Sequence, residues 1–285
     1  MKKFDPKILK KLYIPPPNSH KGQNGKLLII GGSQLFHAAS LWSLTVASRI
    51  VDMVFYSSIP TNNELVKEAK KEFRNGIVVP RSKIHDYINE ADCILIGPGL
   101  PRKEGEETGD DNTEELTSSL LKRYPNKRWV IDGGSLRTIE PELISQHAIL
   151  TPHPKEFETL KLKIKNEKLK MKMQNLKLEE QVQFFAKEFS CIVLLKGPVD
   201  VISNGSETVE VKGGNAGMTK GGTGDVLAGL VAALYCKNEA FLSAAAGSFI
   251  NKKAGELLFK KAGYYFNASD LANETPKVMK EFLPQ

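Results

Sequence analysis

The chain has 285 residues, 41% of them hydrophobic and 26% charged, with a formal charge of +7. That balance fits a folded protein with a sizeable core and excludes a disordered chain, a collagen-like fibre or a coiled coil. No apolar run approaches the roughly 20 residues of a membrane-spanning helix, and the start, Met1-Lys-Lys-Phe-Asp-Pro, lacks the apolar stretch of a secretory signal.

Taken in chain order, Pro15-Pro-Pro is a stiff extended lead-in to the first expected element. Lys26-Leu-Leu-Ile-Ile reads as a strand ending at Gly31-Gly-Ser33, followed by a helix from about Ala38 to Ile50. Met53-Val-Phe-Tyr, Gly76-Ile-Val-Val and Cys93-Ile-Leu-Ile are further strands. Arg102 to Asn112, rich in Gly and acidic residues, predicts a mobile surface loop. Trp129-Val-Ile, Ala148-Ile-Leu and Cys191-Ile-Val-Leu-Leu are strands, and Val199–Ile202 with Thr208–Val211 predicts a hairpin around Asn204-Gly205. Helices are expected over 225–235 and 240–259. Cys93, Cys191 and Cys236 form no CxxC pair and read as buried thiols of a reducing cytosol. Residues 161–178 hold seven Lys and one Glu, a net of +6, leaving only +1 for the rest. The excess charge is therefore one local segment, read as a solvated surface insertion, and nucleic acid is not the expected partner.

Most of these strands are continuous apolar runs, the pattern of parallel strands covered on both faces. The expected fold class is α/β, a three-layer α/β/α sandwich with a mostly parallel central sheet, in a single domain over 1–285. Ligands in such sheets sit at the carboxyl ends of the strands. Gly31-Gly-Ser, Gly97-Pro-Gly, Asp132-Gly-Gly, Thr151-Pro-His-Pro and Lys196-Gly all fall there.

The strongest chemical signal is Gly213-Gly-Asn-Ala-Gly-Met-Thr-Lys-Gly-Gly-Thr-Gly-Asp225. Gly221, Gly222 and Gly224 let the backbone approach a ligand closely. The helix behind them presents unpaired N–H groups and a partial positive charge, which together suit a phosphate. A carboxylate at Asp225 would take the proton of a hydroxyl attacking phosphorus, while the amides of 222–225 stabilise charge on the moving oxygens. The pattern is neither a P-loop nor a Rossmann fingerprint.

Gly222-Thr-Gly-Asp225 resembles the signature of the ribokinase-like superfamily. Within it, the chain resembles the ADP/ATP-dependent NAD(P)H-hydrate dehydratases, the carboxy-terminal domain of YjeF-type proteins. The matching stretches are Lys21-Gly-Gln-Asn-Gly25, Gly31-Gly-Ser33 with Ala38-Ala39, Gly97-Pro-Gly-Leu100 and Val130-Ile-Asp132. They continue with Leu150-Thr-Pro-His-Pro-Lys-Glu156, Leu195-Lys-Gly197 and Asn215-Ala-Gly-Met through Asp225-Val-Leu-Ala-Gly229. The resemblance implies a lyase that repairs hydrated NADH and NADPH (NADHX and NADPHX, the S epimer). The C6 hydroxyl is phosphorylated by ADP or ATP, and phosphate leaves to restore the reduced cofactor.

The resemblance also implies roles. Asp225 is the base. Ala39, Gly99 and His153, with Asp225, contact the hydrate. Lys196, Gly197, Pro198, Val199 and Asp200, with Gly222, Thr223 and Gly224, bind the nucleotide. Asn215 and Asp132 support the site, and Glu156 would hold Mg²⁺ through water. His37-Ala38 stands where the family usually has Gly before Ala39, and Thr223 replaces the commoner Ser. No epimerase domain is seen, so either a separate epimerase protein is a partner or the chain takes only the epimer it can use. Also expected are a cytoplasmic location and a homo-oligomer, tetramer or larger, with the apolar helices of 240–259 packed between subunits. A vitamin-precursor kinase for a thiazole or pyrimidine shares Asp225 and the anion loop, but His153 and Lys21-Gly…Gly25 argue against it. A nucleotide sensor or RNA-binding protein would have no need of the base.

Overall fold

The apolar runs form strands in the computed structural model, which describes residues 1–283. The strands are β1 (Lys2–Lys3), β2 (Lys26–Ile30), β3 (Met53–Ser57), β4 (Ile77–Val78), β5 (Cys93–Ile96), β6 (Arg128–Ile131), β7 (Ala148–Leu150), β8 (Ile192–Leu195), β9 (Val199–Ser203) and β10 (Thr208–Lys212). The helices are α1 (His37–Ala47), α2 (Pro60–Phe73), α3 (Ile84–Glu90), α4 (Thr113–Arg123), α5 (Gly133–Thr138), α6 (Pro154–Leu162), α7 (Glu167–Gln174), α8 (Leu178–Glu188), α9 (Thr223–Tyr235), α10 (Ala240–Ala262) and α11 (Ala268–Phe282).

One sheet runs in the order β1-β10-β9-β8-β7-β6-β5-β2-β3-β4. The seven neighbours β8-β7-β6-β5-β2-β3-β4 pair in parallel, as do β1 and β10, while β9 is antiparallel to both β8 and β10. Side chains alternate across the sheet, so one strand feeds two cores. Leu27, Ile29, Cys93 and Leu95 face α1, α9, α10 and α11. Leu28, Ile30, Ile94 and Ile96 face the other layer, with α3, α4, α5, α6 and α8. This is the expected three-layer sandwich. The cysteines are free and buried. Among the described residues no helix is long and apolar enough to cross a membrane.

Several expectations need adjustment. The triple proline does not precede the first element, because β1 and a 3₁₀ turn at Pro6–Lys11 come before it. Lys2 and Lys3 pair with Val209 and Glu210, and Leu9 is fully buried. Much of helix α10 is buried inside the chain, its apolar middle packed on α9, α11, β8, β9 and β10. The 102–112 segment is anchored: Gln34 N donates to Asp110 Oδ1 at 2.8 Å, and Arg81 pairs with Asp111. The Lys-rich segment forms α7 and its flanks. Its charges lie along the surface, with Lys161 pairing Glu158 at 2.6 Å and Lys170 pairing Glu167 at 3.0 Å.

Candidate active site

The chain runs from β2 outward to β3 and β4, then returns to β5 on the other side of β2. The β2/β5 boundary is therefore a topological switch point, where the loops diverge and open a crevice. Ala39 and Gly99 meet there. Gly99 has φ +73°, and a Cβ on it would lie 2.5 Å from the Phe36 carbonyl oxygen and 3.1 Å from Ala39 Cβ. Gly32 N donates to Pro98 O at 2.8 Å, which locks the two loops together.

Helix α9 delivers Asp225 to the same region. Gly222 is its N-cap, with φ +93°, and a Cβ there would lie 2.3 Å from the Trp42 ring. The turn is thus open only to glycine. Lys220 holds the loop from behind, donating to Phe266 O at 2.7 Å and to Tyr264 O. The helix begins at Thr223, so Asp225 lies in the first turn rather than opening it. Helix α1 packs tightly on α9. Ser43 Oγ donates to Asp225 O at 2.8 Å, and a Cβ on Gly229 would lie 2.6 Å from Ser43 Cα. Ala39 lies one turn before Ser43 on α1, so the same contact aligns it with the start of α9.

Lys196, at the end of β8, joins the acidic groups. Its Nζ donates to Asp132 Oδ1 at 2.8 Å, and Thr151 Oγ1 donates to that same oxygen at 2.7 Å. A Cβ on Gly224 would lie 3.5 Å from Lys196 Nζ, which places the ammonium beside the anion loop. Burial alone would lower the Lys196 pKa, but Asp132, Glu156 and Asp225 raise it, so the group stays charged. Asp225 has the opposite problem. Burial, then the Asp132 charge, push its carboxyl up to about 7 against the pull of Lys196.

His153 caps α6. Its Nδ1 accepts from Glu156 N at 3.2 Å, and Glu156 Oε2 accepts from His153 N at 2.9 Å, a reciprocal capping box. Burial, then Lys196 and Arg137, lower the His153 pKa, so its ring stays neutral. With Nδ1 accepting, the proton of the neutral ring sits on Nε2. Glu156 is buried, and burial raises its pKa.

His153, Lys196, Gly197, Pro198, Asp200, Asn215, Thr223 and Gly224 line one cavity of about 620 Å³. Two of the expected nucleotide residues do not line it: Gly222 packs against Trp42, and Val199 is 38% exposed. Asp200 shapes the loop. Its carboxylate accepts from Gly197 N at 2.8 Å and Ser248 Oγ at 2.7 Å, and lies 3.2 Å from Lys252 Nζ. Asn215 ties two segments, accepting from Gly217 N at 2.9 Å and donating to Gly255 O at 2.8 Å. Thr223 Oγ1 donates to Met218 O at 2.6 Å, so its hydroxyl closes the loop.

Sequence reading missed Ser248, Asn251 and Lys252, which α10 brings to this cavity and its walls. Their signal was present, as polar residues spaced one turn or less apart within the largely buried stretch from Ser243 to Gly255 of α10. No group of three His, Cys, Asp or Glu among the described residues is arranged to hold a metal. Asp132, Glu156 and Asp225 surround a lysine instead. That set fits a cation carried mainly by phosphates and water, not a protein cage.

The model of the NAD(P)H-hydrate dehydratase family matches residues 27–277. A bifunctional NAD(P)H-hydrate repair enzyme of Methanocaldococcus jannaschii is 37% identical over 281 residues, covering 96% of this chain and 52% of that protein. The chain thus spans about half the length of such bifunctional relatives. An ADP-dependent (S)-NAD(P)H-hydrate dehydratase of Nitrosopumilus maritimus is 37% identical over 293 residues, covering 96% of each. A ribokinase-like superfamily protein of Enterococcus faecalis has the same fold, with TM-score 0.82 and 22% identity over 99% of this chain and 96% of that one. The fold is ribokinase-like, and the chain belongs to the NAD(P)H-hydrate dehydratase family.

Proposed function

We propose that this chain dehydrates the S epimer of hydrated NADH and NADPH at the expense of ADP, yielding AMP, phosphate and the reduced cofactor. The observation that carries the reading is the meeting of Asp225, Lys196 and the Gly222–Gly224 turn beside the cavity.

The hydrate lies across Ala39 and Gly99, with its C6 hydroxyl toward Asp225 and His153 Nε2–H donating to it. ADP lies along Lys196–Asp200, with its terminal phosphate at Thr223 and Gly224. The C6 oxygen attacks the β-phosphorus, Asp225 takes the hydroxyl proton, and AMP leaves. Backbone N–H groups at the start of α9 and the Lys196 ammonium stabilise the transferring group. The C6–O bond then breaks with phosphate departing, and loss of the C5 proton restores the C5–C6 double bond. Hydroxide is a poor leaving group and phosphate a good one, so the nucleotide makes elimination feasible. Mg²⁺ would enter with the nucleotide and reach Glu156 through water, neutralising phosphate charge. A cytoplasmic homo-oligomer, supplied with the usable epimer by a separate epimerase, completes the reading.

The test supplies NADHX and ADP and follows absorbance of the reduced nicotinamide. Recovery of that band, with one AMP and one phosphate per NADH, supports the function. No recovery with either ADP or ATP contradicts it.

A further inference from the structure

Two walls of the cavity come from different parts of the chain. One is residues 197–200, at the turn from β8 into β9, and the other is residues 213–215, just after β10. Val199 pairs with Lys212, so both segments leave the same open end of the β9–β10 hairpin. Neither segment is held there by a strand partner of its own beyond that pair, so something else must set the distance between them.

Lys252 of α10 touches both. It is only 6% exposed, and lysine is rarely so buried unless paired. Its Nζ donates to Gly197 O at 2.9 Å, to Pro198 O at 3.3 Å and to Gly213 O at 3.5 Å, and lies 3.2 Å from Asp200 Oδ1. Its stem runs along the second wall. A Cβ on Gly213 would lie 3.6 Å from Lys252 Cβ, and one on Gly214 would lie 3.5 Å from Lys252 Cγ. The acceptors around the ammonium outnumber its three donors, and Asp200 balances its charge. Nothing is left over for a phosphate. Lys196 is held separately, by Asp132 at 2.8 Å.

We infer that Lys252 is a positioning residue for the phosphoryl donor: it pins residues 197–200 to residues 213–214 and so sets the width of the cleft that receives ADP. The inference rests on the nucleotide lying in this cavity as proposed above. Removing the ammonium leaves the Asp200 carboxylate buried without its cation and frees the carbonyls of Gly197, Pro198 and Gly213. The walls then shift while Asp225, Ala39 and Gly99 keep their places on other elements. The loss falls on binding of the nucleotide in the ground state, so it raises KM for ADP and spares the group transfer itself.

The test compares the unmodified protein with Lys252→Met and Lys252→Arg. Steady-state kinetics with NADHX and ADP are measured alongside the dissociation constant of ADP by calorimetry. Lys252→Met should raise both KM and Kd for ADP about ten-fold or more, with kcat and KM for NADHX within about two-fold of the parent. Lys252→Arg keeps a cation beside Asp200 but spreads its donors over a flat fork, so it should melt near the parent and weaken ADP about three-fold or more. Parental affinity for ADP in either folded variant overturns the inference. So does a fall in kcat with KM for ADP unchanged, or comparable losses for both substrates, as a general loosening of the fold would give. Should Lys252→Met not fold, Lys252→Arg decides. A parent protein that binds ADP without restoring NADH loses the proposed function, and the dissociation constants still decide the role of Lys252. One that does not bind ADP loses both.

Discussion

Asp225 is ordinary in sequence and abnormal in place. An aspartate titrates near 3.8, but burial and then the Asp132 charge hold this one near about 7. A base is most effective when its pKa lies near the working pH. Turnover should therefore fall as pH drops below about 7, roughly ten-fold per unit, in a pH–rate profile. Stability should show the opposite sign. A carboxyl whose folded pKa is raised stabilises the fold below its unfolded pKa and loses that contribution as pH rises through about 7. Asp225→Asn is therefore expected to melt higher than the parent at pH 8, with the gain shrinking toward pH 4. The scale is at most roughly 4 kcal/mol. The same variant should bind AMP but turn over at least about 100-fold more slowly. Near-normal turnover would remove the base role. Lys196 is the converse case. Lys196→Met leaves Asp132 and Glu156 without their buried cation, and should cost roughly 3–5 kcal/mol in a denaturant melt. At this scale Asp225, Lys196 and His153 were legible because glycines and strand ends flag them. Lys252 and Asn251 were not, because a helix core hides polar residues that serve a cavity.

At the scale of elements, the contact of α1 with α9 sets the distance between the two halves of the site. Gly229 makes it possible, since any side chain there meets the Ser43 backbone. Gly229→Ala should push α1 away and displace Ala39 from Asp225. The expected result is a raised KM for the hydrate with a smaller change in KM for ADP, measured in steady-state kinetics. Comparable losses for both substrates would mean that the contact matters only for folding. The strands were legible because a run buried on both faces has one explanation. Strand β1 was not, because Lys2 and Lys3 pair through backbone alone and carry no apolar signal. Helix α11 also escaped reading. It carries Pro276 internally, a residue that ordinarily stops a helix, and its start is set by an Asn267–Asp270 capping box. The apolar character of helix α10 was legible, and much of it is spent on packing against α9, α11 and the sheet.

Across the whole molecule, the order of strands explains why distant stretches of sequence converge. The return of the chain to β5 beside β2 opens the crevice, and the ends of β6, β7 and β8 extend it toward the cavity. A ligand bound there should stabilise the entire fold by mass action. AMP at 100 times its dissociation constant is expected to add about 2.7 kcal/mol. The Lys-rich surface is separate from this. Lys168 and Lys172 are exposed, and replacing both with Glu should change turnover by no more than about two-fold, as for a surface change remote from the site. A larger loss would place that segment in the mechanism.

The central claim is that the phosphoryl group moves onto the hydrate before elimination, and the fate of one oxygen tests it most directly. Hydrated NADH labelled with heavy oxygen at its C6 hydroxyl is turned over with unlabelled ADP. Mass spectrometry then locates the label. One labelled oxygen should appear in the phosphate released for each NADH restored. Label released into water, with unlabelled phosphate, would contradict it.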